Sequence, residues 1–208
     1  MKTPDPFIYP AQPHVRKHAP AGSSDYAEYK PWLRDEFEFR CVYCLHREMW
    51  SRDRHASFSV DHIVPQVEDA ALICIYENLA YSCLRCNSFK QAVRVLDPTQ
   101  EGMGRHLRVE PDGTVSGLTE DGQFLIELLH LNASSATSER LRILRNLKLR
   151  QKYLEDRDLE ADFLAAFRYP EDLPDLRALK SPEGNRLDAN KLQCFHARRE
   201  AGQLSNIY

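Results

Sequence analysis

Residues 83–90 read CLRCNSFK, and upstream of them stand CVYC at 41–44 and VDHIVP at 60–65. Cys83, Cys86, Asn87 and Lys90 fall at helical spacings of three, four and seven, so one broad face of a helix carries two thiols, an amide and an ammonium. Each C-x-x-C pair sets two thiolates on one side of a tetrahedral ion, the first from a tight knuckle and the second from a helix start. Cys41, Cys44, Cys83 and Cys86 would together leave no open position, which makes the expected Zn2+ structural. The alternative is four unrelated buried cysteines, against which the paired spacing occurs twice. Cys74 and Cys194 stand single, an arrangement that favours metal over disulfides in a reducing compartment.

Around this frame the local order reads strand, loop, strand, helix. Residues 56–65, ASFSVDHIVP, alternate and are rich in β-branched and aromatic side chains, with Pro65 closing the strand. A loop through Gln66 to Ala71 follows, then a second extended segment at 72–81, LICIYENLAY. Residues 83–96, CLRCNSFKQAVRVL, read as a helix that ends near Pro98. Upstream, residues 25–39 have spacing compatible with a short helix that takes Pro31 in its first turn and delivers the chain to the first cysteine pair. Residues 1–24 carry five prolines and little periodic apolar character, so they are expected to form a flexible arm. In it, His14, Arg16, Lys17 and His18 are within the vocabulary of phosphate contacts, or of a solvated tail.

In kind and order of residues, the pattern C-x-x-C, D-H-I-x-P, N, C-x-x-C-N-x-x-K over Phe39 to Gln91 resembles the HNH endonucleases, a family of ββα-metal nucleases. Asparagine ends the pattern where many members have histidine, an H-N-N variant. The resemblance implies that His62 is a general base, that Asn78 holds it or anchors its loop, and that Asp61 and Asn87 each give one oxygen to a catalytic Mg2+ or Mn2+. The chemistry agrees, since phosphodiester hydrolysis needs a base and a cation, imidazole titrates near neutrality, and carboxylate and amide oxygens are hard ligands. The competing roles are a structural or zinc-binding histidine for His62, and a turn or capping residue for Asn78. Lys90 is placed either for phosphate contact or as a solvated helix residue. In an ideal strand Asp61 and His62 point to opposite faces, so the strand is expected to end or twist at Asp61.

Beyond Pro98, residues 106–118 form two alternating runs around Asp112-Gly113, a hairpin signal. A helix is expected over Gln123–Leu131, and a longer one from a cap near Ser138 to the stop at Tyr169-Pro170. A proline-marked linker and a short helix near Asp188 to Ala201 complete the chain. Residues 140–152 hold six basic residues and no acid over a stripe of Leu141, Leu144 and Leu147. Arg140, Arg142, Arg145 and Lys148 are therefore candidates for backbone contact with nucleic acid, DNA being the expected substrate, or for a solvated face paired with acids elsewhere. A formal net charge of −3 gives no global attraction to nucleic acid, so contact must come from such local patches.

The fold expected is α+β: an arm (1–24), a zinc-stapled ββα-metal core (25–97), a hairpin and helical extension (98–170), and a linker with a C-terminal helix (171–208). No apolar run is long enough to span a bilayer and the first residues lack a signal-peptide pattern, so a cytoplasmic protein is the expectation. The rival readings are a zinc-dependent binding module without catalysis and a nuclease subunit that acts only with a protein partner; a homodimer is the other assembly the sequence leaves open.

Overall fold

The computed structural model describes residues 5–152, 165–205 and 207–208. Its centre is a two-stranded antiparallel sheet, β1 (Phe58–His62) and β2 (Leu79–Cys83), in the register Phe58↔Cys83, Val60↔Tyr81 and His62↔Leu79. All five residues of β2 are buried, because α1 (Lys30–Glu36) packs on the sheet while α2 (Leu84–Lys90) packs against both strands. The Phe58 and Tyr81 rings stack at 5.0 Å. As the sequence predicts, Pro31 sits in the first turn of α1, where its missing N–H costs no hydrogen bond.

The helix α2 begins directly at Cys83, whose sulfur accepts from the Cys86 N–H. It stops at Gln91, where φ is +49°, well short of Pro98. The reason is burial: Ala92 and Val93 face solvent, so nothing sustains further helical turns. Strand β1 ends at His62, short of Pro65 and one residue beyond Asp61, the expected point of an end or twist. Within the second extended segment only Leu79 onward is strand; Ala70–Leu72 and Tyr76–Asn78 are single 3-10 turns.

The extension holds the hairpin β3 (Leu107–Val109) and β4 (Val115–Gly117), turned at Gly113 with φ +86°. Next come α3 (Glu120–Leu128) and α4 (Ser134–Lys152). Both helices start earlier than the sequence pattern predicts. Thr119 caps α3 through its hydroxyl, which accepts from the Gly122 N–H at 3.1 Å. On α4 the inward row is Ala136, Arg140, Ile143 and Leu147, while Leu141 and Leu144 are only partly buried, so the apolar stripe is rotated from the leucine pattern. The expected course of this helix over residues 153–164 lies outside the described residues. A 3-10 turn at Asp188–Gln193 and a helix at Phe195–Glu200 occupy the predicted C-terminal helical region.

The arm differs from its expectation. Phe7 and Tyr9 are buried in the main core, and the His14 N–H donates to the Pro98 carbonyl. The cause is at the end of α1, where Asp35 and Glu36 are both buried and demand partners. His14 meets Glu36 at 2.6 Å, His18 meets Asp35 at 2.9 Å, and the Lys17 and His18 N–H groups also donate to Glu36. Arg16 donates to the Glu77 and Leu79 carbonyls and lies over the Phe37 and Tyr76 rings. Polar anchors thus order a segment whose apolar content alone predicts disorder.

Candidate functional site

Four sulfurs and one cleft are arranged along α2. The Sγ atoms of Cys41, Cys44, Cys83 and Cys86 all lie within 4.8 Å of one another and all four residues are buried. Cys44 and Cys83 are 3.7 Å apart, and a tetrahedron with metal–sulfur bonds of about 2.3 Å spaces its sulfurs by about 3.8 Å. The donor set is therefore compatible with a zinc site. Cys83 is pushed far down toward thiolate because it receives hydrogen bonds from the Cys41, Cys44 and Cys86 thiols and from the backbone at the start of α2. The knuckle itself is closed by the Leu45 N–H on the Cys41 carbonyl and the Cys41 N–H on the His46 carbonyl, with Leu45 at φ +60°.

At the other end of α2 a cleft of about 300 Å³ is lined by Tyr26, Asp61, His62, Gln66, Asn87 and Gln91, among others. Adjacent residues Asp61 and His62 reach the same cleft because His62 is the last residue of β1 and its ring turns to the loop at 63–78. The His62 Nε2 lies 3.0 Å from the Ile73 carbonyl oxygen, which can only accept, so Nε2 carries the proton and Nδ1 keeps its lone pair. The Gln66 side-chain amide sits 3.2 Å from that Nδ1, and Tyr26 meets the ring edge-on at 4.7 Å. Burial lowers the His62 pKa and Lys90 lowers it further, against the Ile73 carbonyl and Asp61.

Asp61 is buried, which raises its pKa, while Lys90 and Tyr43 act in the opposite direction. The Lys90 ammonium lies 3.2 Å from Asp61 Oδ1 and donates to the His62 carbonyl at 2.7 Å; the Tyr43 hydroxyl donates to Asp61 Oδ2 at 2.5 Å. Each oxygen retains a second lone pair. Asn87 is partly exposed in the same cleft. Asp61 and Asn87 thus offer one carboxylate and one amide to a hard cation, a partial set of the kind Mg2+ accepts when waters and phosphate complete it.

The Asn78 side chain does not hydrogen-bond His62. Its Oδ1 accepts from the Val64 N–H at 2.8 Å and its Nδ2 donates to the Val64 and Leu72 carbonyls at 3.1 and 3.2 Å. Of the two roles the resemblance allowed, this geometry fits loop anchoring, and the loop in turn presents the Ile73 carbonyl to His62.

Two candidate cations are corrected. Lys90 is buried at 1 % exposure with its ammonium engaged internally, so it is neither a solvated helix residue nor open to phosphate. Arg140 is buried too; its Nε donates to the Gly113 carbonyl at 2.6 Å and its Nη2 to the Leu131 carbonyl, tying α4 to the hairpin turn. A charged residue on a helix reads as solvent-facing unless its partner is known, and both partners are remote in sequence. Arg142, Arg145 and Lys148 are exposed, as the surface reading requires. His106 is a structural residue held by Thr119 and Glu101. Tyr26, Tyr43 and Gln66 do not stand out in the sequence, and only Tyr43 carries a signal there, its place inside the first C-x-x-C pair.

No helix among the described residues is long and apolar enough to cross a membrane. No curated protein matches the chain. Residues 41–92, which hold all four clustered cysteines and Asp61, His62, Asn78 and Asn87, match the HNH endonuclease family model, and the chain therefore carries an HNH endonuclease domain over about a quarter of its length.

Proposed function

We propose that this chain is a metal-dependent endonuclease that hydrolyses phosphodiester bonds, with DNA as substrate. The observation that carries the reading is the convergence of Asp61, His62 and Asn87 on one cleft, with the His62 Nε2 proton tied to Ile73 and Nδ1 left as an acceptor. His62 Nδ1 takes the proton of an attacking water, and the Gln66 amide marks where a hydrogen-bonding group meets that nitrogen. Asn78 fixes the loop that fixes the ring. Asp61 and Asn87 would hold Mg2+ or Mn2+, which supplies charge neutralisation at the phosphate and the leaving oxygen. Cys41, Cys44, Cys83 and Cys86 would hold a structural Zn2+ that fixes α2 against the sheet. Arg142, Arg145 and Lys148 form an exposed basic row suited to backbone contact without sequence reading. By resemblance to the family, the products carry a 5′ phosphate and a 3′ hydroxyl.

The test is incubation of supercoiled plasmid with zinc-loaded wild-type protein and His62→Ala, in Mg2+, in Mn2+ and with the cation chelated. Nicked or linear product that requires the cation and falls by about 10²–10⁴ in the still-folded variant supports the assignment. Binding of nucleic acid without cleavage by either protein would replace it with a zinc-dependent binding module.

A further inference from the structure

The Tyr43 side chain joins the four-cysteine cluster to the cleft. It lies between Cys41 and Cys44, is fully buried, and donates its hydroxyl to Asp61 Oδ2 at 2.5 Å. Its own backbone is pinned from the other side, since the Tyr9 hydroxyl donates to the Tyr43 carbonyl at 2.8 Å and the neighbouring Val42 N–H donates to the Tyr81 carbonyl of β2 at 3.0 Å. On the opposite oxygen of Asp61 stands Lys90, which also holds the His62 carbonyl. Lys90 belongs to α2, the helix that starts at Cys83 and carries Cys86. Both groups that grip Asp61 are therefore mounted on the two segments that supply the four sulfurs.

We infer that Tyr43 and Lys90 are positioning residues for Asp61, and that the four-cysteine site, through them, sets how tightly the cleft binds its divalent cation. The inference rests on the endonuclease reading above. A carboxylate on a strand end has freedom about two side-chain torsions, and a single ligand that wanders binds a cation poorly. Donors on Oδ1 and Oδ2 from two rigid supports remove that freedom and leave one lone pair of each oxygen for the cation. By reciprocity, occupancy of the sulfur site raises affinity at the cleft, and occupancy of the cleft raises affinity at the sulfurs.

The experiment uses zinc-loaded full-length protein and reads Mn2+ binding by calorimetry and electron paramagnetic resonance, beside zinc content, thermal melting and plasmid cleavage. Tyr43→Phe keeps the ring and removes the donor; Lys90→Met is the second variant; each is also made in an Asp61→Asn background. The expected result is that Tyr43→Phe retains one zinc and weakens Mn2+ binding by about 10–100-fold. In the Asp61→Asn background Tyr43→Phe adds no further loss, since it acts only through that carboxylate. Should Tyr43→Phe bind Mn2+ as wild type does, or lose cleavage with Mn2+ affinity intact, the inference is overturned while the endonuclease reading stands. A wild type whose Mn2+ binding is indifferent to Asp61→Asn, and which cuts no nucleic acid, would overturn both.

Discussion

The two ends of the seven-residue helix α2 are opposites. At its start Cys83 and Cys86 join Cys41 and Cys44 in a closed, buried set of soft donors. At its finish Asn87 and Gln91 line an open cleft of hard oxygens and one imidazole. The whole helix is only about 10 Å long and Cys86 and Asn87 are consecutive on it, so a closed set of sulfurs abuts an open cleft that, under the proposed function, receives water and phosphate. The difference teaches where precision comes from: the closed end devotes its chemistry to holding the frame, and the open end inherits its geometry from that frame through Tyr43, Lys90 and the Asn78-anchored loop.

Breaking the closed end has the largest expected effect. For Cys83→Ser or Cys86→Ser, a site of this class contributes about 10–16 kcal/mol of apparent binding that is also folding energy. Loss of a cooperative melt together with loss of zinc is the expected outcome, measured by circular dichroism and metal analysis. A variant that melts as wild type does, without metal, would show that the four sulfurs are mere core packing.

At the open end, Asn78→Ala removes three hydrogen bonds from a buried amide and strands the Val64 and Leu72 backbone groups. It is expected to cost about 1–3 kcal/mol in chemical denaturation and to lower cleavage through the loop rather than through direct contact with His62. If cleavage is unchanged in the folded variant, the loop does not set the ring.

These two regions are unequally legible in the sequence. The cysteine pairs are readable from their repeated spacing, Asp61, His62 and Asn87 from the resemblance to the HNH endonucleases, and the strand–loop–strand–helix order from alternation and from Pro65. Lys90 and Arg140 mislead because a helix position reports its angle around the axis but not what the rest of the chain brings to it. The arm misleads for a related reason. Its order comes from His14, Arg16 and His18 finding buried acids and carbonyls, and no periodic pattern records such pairings. Gln66 and Tyr26 carry no motif and enter the cleft only by tertiary placement.

The pH profile sharpens the comparison further. Under the proposed function the base is the His62 imidazole, which accepts a proton only when neutral, and burial moves its pKa down from its ordinary value of about 6.5. The acid limb of log kcat/KM is therefore expected to lie below pH 6.5, with a plateau already reached at neutrality. An acid limb centred above pH 7 would mean that another group, or a differently placed ring, does the work.

The smallest effects belong to the exposed row on α4. Alanine at Arg142, Arg145 or Lys148 is expected to leave melting within about 0.5 kcal/mol of wild type and to reduce the salt dependence of DNA binding, by about 0.9 in the log–log slope for each phosphate no longer neutralised. Arg140→Met should do the reverse, lowering stability because the Gly113 and Leu131 carbonyls lose their donor, with the salt slope unchanged.

The most direct test of two unlike centres on one short helix is anomalous diffraction from crystals of zinc-loaded protein soaked in Mn2+, with data at both absorption edges. The account predicts one zinc peak among the sulfurs of Cys41, Cys44, Cys83 and Cys86, and one manganese peak bounded by Asp61 and Asn87. Manganese at the cysteines, or a cleft without manganese at any position reached by the Asp61 carboxylate, would contradict it.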